Sequence, residues 1–350
     1  MKSPPLETGF NRTPVLIDWL QVYGKNCEFK SPVFEYKNKD YGAKHFEIIT
    51  QVFYLKEKIC EVAHKPRASI LKPESVLIKF ENSLLYKPEL PYVINLLFSS
   101  LKFEPQHITR LDLCVDFPTF KNKLKPNKFI NKFLQNKILK IGRGTFKLVG
   151  TQKRINQYEY LRFGSNISDV SAYLYNKSKE LNEVKNKPYI RSLWYWQKSE
   201  LDSWINTDVW RLEFSIKNHK LNYYYPETGE YIPLNLESVL KYESREFIYK
   251  CLMNHYFYFV YNNGKEKKSR MKTVPLLNLE NIGEIHIPKA GKESNRMQKI
   301  FITMFEEFNN ENRFKDRLKD SAADQILKDY VSKYGLSGWH LKRTQSKKNK

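Results

Sequence analysis

Three stretches of this chain alternate apolar and polar residues one by one, and this constrains the fold more than any other feature. Side chains two apart on a strand share a face. Over 110–117, Leu111, Leu113, Val115 and Phe117 form one face, and Arg110, Asp112, Cys114 and Asp116 the other. Over 210–217, Trp210, Leu212, Phe214 and Ile216 oppose Arg211, Glu213, Ser215 and Lys217. Over 170–177, Val170, Ala172 and Leu174 oppose Ser171, Tyr173, Tyr175 and Lys177. Each alone reads as a half-buried strand with a solvated side. Together they predict that strands at 107–117, 170–177 and 209–217 share one antiparallel sheet, with their polar faces side by side.

The rest of the chain extends this pattern. Runs at 14–23, 45–54 and 75–81 are rich in β-branched and aromatic residues and end in turn residues. Further strands are expected at 145–150 and 157–163. Helices are expected from Pro91, with Val93, Ile94, Leu97 and Leu101 on one face, and from Pro126, with Phe129, Ile130, Phe133 and Leu134. Another is expected over 192–205, and a hairpin over 221–232 with its turn at Glu227-Thr228-Gly229. The stretch 295–334 reads as helical. The tail 341–350, with Lys342, Arg343, Lys347, Lys348 and Lys350 and no acid, reads as disordered. The class is α+β, mostly antiparallel sheets with interspersed helices. The expected division is a core over 1–220, an α+β or helical DNA-binding or dimerisation region over 221–340, and the tail. TRLDLCVDF (109–117) echoes WRLEFSIKN (210–218), too short a match to establish a duplication.

Charge sets the partner class. Sixty Lys and Arg against 38 Asp and Glu give a formal +22. Such an excess points to a polyanion, because neutralising phosphates releases condensed counterions. Between Asp116 and Glu159 there are eleven Lys or Arg and no acid, including Lys128, Lys132, Lys137, Lys140, Arg143 and Lys147. A solvated face mixes signs, so this stretch is read as a DNA-backbone contact. A second basic cluster, Lys265, Lys267, Lys268, Arg270 and Lys272, follows Asn262-Asn263-Gly264 at an expected hairpin tip. The N-terminus lacks an apolar signal core and no apolar run is long enough to span a bilayer, so a cytoplasmic protein without a membrane partner is expected. Cys27, Cys60, Cys114 and Cys251 show no C-x-x-C spacing and are read as reduced thiols.

If the three alternating strands are neighbours, their polar faces join acids for a divalent metal, cations for a phosphate and a tyrosine nucleophile. Hard carboxylate ligands suit Mg2+ or Mn2+. The chemistry needing such a set is phosphoryl transfer to a side chain. Alternation does not separate Tyr173 from Tyr175, since both share that face.

In order, the segments IDWL, ITRLDLCVDF, FGSNISDVSAYLYNKSKEL and VWRLEFSIK resemble the trans-acting plasmid initiators of rolling-circle replication and the gene II/X replication proteins of filamentous phages. The resemblance covers roughly 14–220. It implies a nicking-endonuclease-like core in which a glycine-serine turn leads into a strand ending in Tyr-x-Lys. The matching nucleophile is Tyr175, followed by Lys177, and Tyr173 is the second candidate, standing where the family often has arginine. The R-x-D and R-x-E strands match Arg110 to Asp112 and Arg211 to Glu213. The resemblance implies Arg110, Arg211 and Lys177 as catalytic cations and Asp112, Asp116 and Glu213 as metal ligands. It further implies a covalent 5′-phosphotyrosine, a plasmid or phage origin as substrate, host helicase and polymerase as partners, and a dimer.

Other features are weaker. No two of the seven histidines are separated by one residue, which disfavours nickases with a histidine pair as metal ligands. His107 reads as a capped or solvated side chain. Trp194, Tyr195, Trp196, Trp204 and Trp210 crowd one region, as core or as a stacking platform for bases. Gly142-Arg143-Gly144 is too short for a phosphate loop, and no nucleotide-binding G-x-x-x-x-G-K-[ST] occurs. A non-catalytic sequence-specific DNA-binding protein and an RNA-binding or RNA-processing protein remain compatible with these residues.

Overall fold

The alternating strands do lie side by side. The computed structural model describes residues 12–286, apart from 68–70, 143, 151–156, 166, 185, 196–203, 205–206, 218–221, 225–230, 265–266 and 278–283. Among the described residues ten strands form one antiparallel sheet: β1 (Leu16–Lys25), β2 (Glu35–Asn38), β3 (Phe46–Tyr54), β4 (Glu57–Pro66), β5 (Ser75–Phe80), β6 (Glu104–Phe117), β8 (Phe146–Gly150), β9 (Tyr158–Phe163), β10 (Val170–Asn176) and β11 (Trp210–Ile216). Their order is β2-β3-β4-β5-β1-β6-β11-β10-β9-β8. The three motif strands are therefore consecutive. β11 sits between β6 and β10, with Arg211 opposite both Asp116 and Tyr175, and Glu213 opposite both Cys114 and Tyr173.

One face is apolar. Leu111, Leu113, Val115, Leu212, Phe214 and Leu174 are fully buried on it. Three helices cover it: α2 (Leu90–Leu101), α3 (Pro126–Leu134) and a helix over Tyr242–Tyr256. Ring contacts Phe80–Phe98, Phe133–Phe163 and Phe214–Tyr249 fix each in turn. On the polar face α1 (Asn82–Leu85), α4 (Lys177–Glu183) and α5 (Pro188–Tyr195) lie over the Asp116 end of the strands. Two small ladders complete the description. β7 (Ile138–Lys140) pairs with β14 (Phe259–Tyr261), and β12 (Asn222–Tyr224) lies between β13 (Tyr231–Pro233) and β15 (Glu284–His286).

Several expectations need correction. The strand over 14–23 carries a bulge between Ile17 and Trp19, which resets its alternation and brings Asp18 to the polar face. The Tyr175 strand stops at Asn176. That side chain accepts a hydrogen bond from the Lys179 amide at 2.8 Å and caps α4, so Lys177 starts a helix instead of extending the strand. The helix near 192–205 starts earlier, at Pro188, and 196–203 fall outside the described residues. The short helix α6 (Leu236–Leu240) and the helix over Tyr242–Tyr256, α7, were not foreseen. α7 buries Phe247, Ile248, Tyr249, Cys251 and Leu252 together, an arc too wide to read as an amphipathic stripe.

No separation at 220 is seen among the described residues. One core runs from Val15 to Leu276, the Tyr249 hydroxyl donates to the Leu212 carbonyl at 2.9 Å, and all described residues fall in one unit, Met1–His286. The paired β12 and β13 match the expected hairpin, but its turn, the 295–334 stretch and the basic tail lie outside the described residues.

Candidate active site

The polar face is organised around two arginines that do different work. Arg211, fully buried, donates from Nε to Asp116 Oδ1 at 2.6 Å, from Nη2 to Asp116 Oδ2 at 2.8 Å and from Nη1 to Asp18 Oδ1 at 2.5 Å. The Trp194 indole donates to Asp116 Oδ2 at 2.9 Å, and the Tyr86 hydroxyl donates to Asp18. Arg110 instead grips its own strand, donating to both oxygens of Asp112 at 3.1 and 2.6 Å. Its guanidinium also lies 4.0 Å from the centre of the Trp19 ring, with the Lys79 ammonium 4.2 Å from the same centre.

Glu213 is left with no cation partner within ion-pair distance among the described residues. It accepts the Tyr175 hydroxyl at Oε2, 2.9 Å away. Tyr173, opposite Glu213 in register, makes no hydrogen bond to these carboxylates among the described residues; its ring packs 6.0 Å from that of Tyr160. The Lys177 ammonium lies 5.4 Å from the centre of the Tyr175 ring and donates to Glu180 Oε2 at 2.7 Å. Gly164, at φ +85°, makes the β9–β10 turn that sets this strand, and a Cβ there would come within 3.0 Å of the Val170 carbonyl.

The charges follow from burial. Burial pushes the Glu213 carboxyl up to about 8, with Asp112 and Asp18 adding repulsion. Burial raises Asp112 too, and Arg110 only partly offsets it. Burial would also raise Asp18, but Arg211, Lys177 and the Tyr86 hydroxyl outweigh it and hold that carboxyl well below the usual range. Burial, and next the Glu213 charge, push the Tyr175 phenol well above its ordinary value. Tyr175 is therefore no ready-made phenolate; it is a phenol facing a carboxylate of near-neutral affinity for protons.

The expected metal ligands Asp112, Asp116 and Glu213 share the polar face but do not form a ligand set as placed. Both oxygens of Asp112 are held by Arg110, and both of Asp116 by Arg211. No three of His, Cys, Asp and Glu converge as a metal site among the described residues. His107 packs against the Tyr23 ring at 5.0 Å, five residues before Asp112 on β6. All four cysteines are free thiols.

The basic segments come together on the other side of the sheet. Lys128 and Lys137 are exposed and Lys132 half-buried on or just after α3, which packs on the apolar face. Lys267, Lys268 and Arg270 are exposed after β14. The Asn262 amide donates to the Lys137 carbonyl at 2.9 Å, joining the two segments. Lys140 does not share this exposure: it is buried, donates to the Ile141 carbonyl at 2.9 Å, and burial lowers it to about 8. Arg143 and Lys265 lie outside the described residues.

Sequence reasoning missed Asp18, Tyr86 and Trp194 as members of this network. An aspartate inside the apolar run VLIDWL was the available signal, since a buried carboxylate needs a cation. Nothing local marks Tyr86.

No family model and no curated protein matches this chain. Among solved structures, a rolling circle replication initiator protein from Geobacillus stearothermophilus is similar at 15% identity, over 75% of this chain and 92% of that one, with a TM-score of 0.44. No helix among the described residues is long and apolar enough to cross a membrane.

Proposed function

We propose that this protein is a replication initiator that binds a double-strand origin and nicks one strand through Tyr175, leaving a 5′-phosphotyrosine and a free 3′-OH for rolling-circle replication. The observation that carries this reading is the hydrogen bond from the Tyr175 hydroxyl to Glu213. It joins a nucleophile to a base within transfer distance, at the strand end that the Tyr-x-Lys motif singles out. The phenolic oxygen attacks phosphorus and its proton passes to Glu213 Oε2. The bond from phosphorus to the 3′ oxygen breaks, and that oxygen takes a proton from solvent water and leaves as the 3′-OH. Rejoining reverses both transfers. Lys177, beside the Tyr175 ring, and Arg110 offset charge building on the phosphate. Arg211 fixes Asp18 and Asp116 and so holds β11 and its Glu213 in place; it is a positioning residue. No step is assigned to a divalent ion, because Asp112 and Asp116 as placed are engaged by arginine and Glu213 is committed to the Tyr175 hydroxyl. In this reading, unwinding and synthesis fall to host helicase and polymerase, as the resemblance implies. A dimer fits the resemblance.

The test is a suicide oligonucleotide carrying a candidate origin, with mass spectrometry of the peptide that retains the 5′-phosphonucleotide. The adduct is expected on Tyr175, lost in Tyr175→Phe and kept in Tyr173→Phe. An adduct on Tyr173, or nicking by Tyr175→Phe, overturns the assignment. Binding with no adduct at all favours a non-catalytic DNA-binding protein.

A further inference from the structure

The tryptophan-rich region that the nicking reading leaves unused surrounds a cavity of about 550 Å³. It opens at the ends of the strands, beyond Phe117 of β6 and before Trp210 of β11, where α3 on one face of the sheet approaches α4 and α5 on the other. Trp194, Trp204 and Trp210 line it, each no more than 6% exposed. Trp194 and Trp204 pack on Leu181, Ile190 and Val209 on one side, so they are core residues whose remaining surface faces the cavity. Lys125 and Arg191 are the cations of the lining; Lys125 is exposed and Arg191 half-exposed, with Arg191 donating to Asn182.

We propose that this cavity takes one unpaired nucleobase of a DNA strand, seated against the exposed edges of the tryptophans, with the adjoining phosphate at Lys125 and Arg191. The proposal deepens the nicking reading and rests on it for the role of the base, which is that of a nucleotide flanking the scissile phosphate. The tryptophan edges give any base an apolar contact, and the cations supply the phosphate contact. Ser178, Asn182 and Asp208 in the wall offer hydrogen-bonding groups for a base edge. The volume fits a small ligand and excludes a duplex, so the base must be single-stranded or turned out of the helix.

Position links the cavity to the chemistry. Ser178 in the wall is three residues after Tyr175, at most about 11 Å of chain. Trp194 in the wall donates directly to Asp116 of the arginine network. The location also addresses a problem of layout, because the exposed lysines of α3 and the Tyr175 hydroxyl lie on opposite faces of the sheet. A strand running from one to the other passes the strand ends, where the cavity opens.

The test uses the full chain and three probes: a thymidine decamer, the same decamer with abasic sugars, and the decamer paired with its complement. Binding is read from tryptophan fluorescence and from anisotropy of a labelled probe. The single strand should quench tryptophan and bind at least about 10-fold more tightly than the abasic decamer, which carries the same phosphates. The paired decamer should not quench. Trp204→Phe should reduce the quench. Lys125→Ala with Arg191→Ala, both outside the core, should weaken the thymidine decamer while keeping the native melting profile. Equal affinity for the abasic probe, equal quenching by duplex, or an unchanged quench in Trp204→Phe overturns the proposal; should Trp204→Phe not fold, the unmutated chain still decides through the abasic probe. None of these readouts needs cleavage. Base-dependent binding without any phosphotyrosine adduct sinks the nicking reading alone, and an adduct without base dependence sinks the cavity alone.

Discussion

The Tyr175 hydroxyl donates to Glu213 Oε2 across 2.9 Å from one strand to the next, and burial with Asp112 nearby pushes that glutamate to about 8. Accepting a phenolic proton requires the ionised carboxylate. The single-turnover nicking rate should therefore rise about tenfold per pH unit below 8 and level off above it. Glu213→Gln should lower the plateau by about 10²–10⁴ and remove the slope. A rate independent of pH between 6 and 8 removes Glu213 as the base.

The same shift acts on stability. Glu213 binds its proton more tightly when folded than when unfolded, where its ordinary value is 4.5. Between about 4.5 and 8 the folded state holds the extra proton, so this group makes stability fall as pH rises through that window. This is opposite in sign to a salt-bridged carboxylate such as Asp18. Urea melts should show Glu213→Gln gaining on the unmodified chain from pH 5 to pH 8. If the gap stays constant, the glutamate is not perturbed.

Arg211 is the hub of the buried charges. Replacing it with Leu leaves Asp116, 1% exposed, without its cation, and should cost on the order of 3–5 kcal/mol in urea unfolding. The double variant Arg211→Leu with Asp116→Leu should recover part of that loss, because the orphaned charge goes too. A loss under about 1 kcal/mol contradicts this network.

How far the sequence could be read follows from which residues keep local rules. The three motif strands obey strict alternation, so their adjacency and shared polar face were legible before any coordinates. Asp18 was not, because a bulge breaks the alternation of β1 just there. α7 hid its helical period by burying a broad arc around Tyr249. The division of labour between the arginines was also hidden. R-x-D and R-x-E look alike, yet Arg110 binds its own strand's Asp112 while Arg211 reaches across to Asp116. That choice depends on strand register, which pairs Arg211 with Asp116, and no single motif contains it.

Asp112 is occupied by Arg110 in the DNA-free chain, which bears on metal affinity. A divalent ion shared by Asp112 and Glu213 requires Arg110 to release its two hydrogen bonds. Mn2+ titrated calorimetrically into the protein without DNA should bind weakly, and Arg110→Ala should bind it more tightly. Tight binding by the unmodified chain that Arg110→Ala does not improve means that the ion sits elsewhere.

The two basic segments, far apart in sequence, are joined through Asn262 and Lys137, so they should act as one phosphate-binding surface. Each phosphate neutralised adds about −0.9 to the slope of log affinity against log salt on duplex DNA. Neutralising Lys128, Lys132 and Lys137 together should flatten the slope by up to about 3, and neutralising Lys267, Lys268 and Arg270 should do the same. Lys140 serves as the internal control. It lies in the same stretch of sequence but is buried, lowered to about 8 and bound to the Ile141 carbonyl, so the expected outcome is that it makes no phosphate contact. Lys140→Met should leave the slope unchanged and should not lower the melting temperature, since it removes a buried cation that carries no carboxylate partner among the described residues. A slope change in Lys140→Met equal to that of an exposed lysine means that the DNA track runs along β7 and not over the joined surface of α3 and the 267–270 segment.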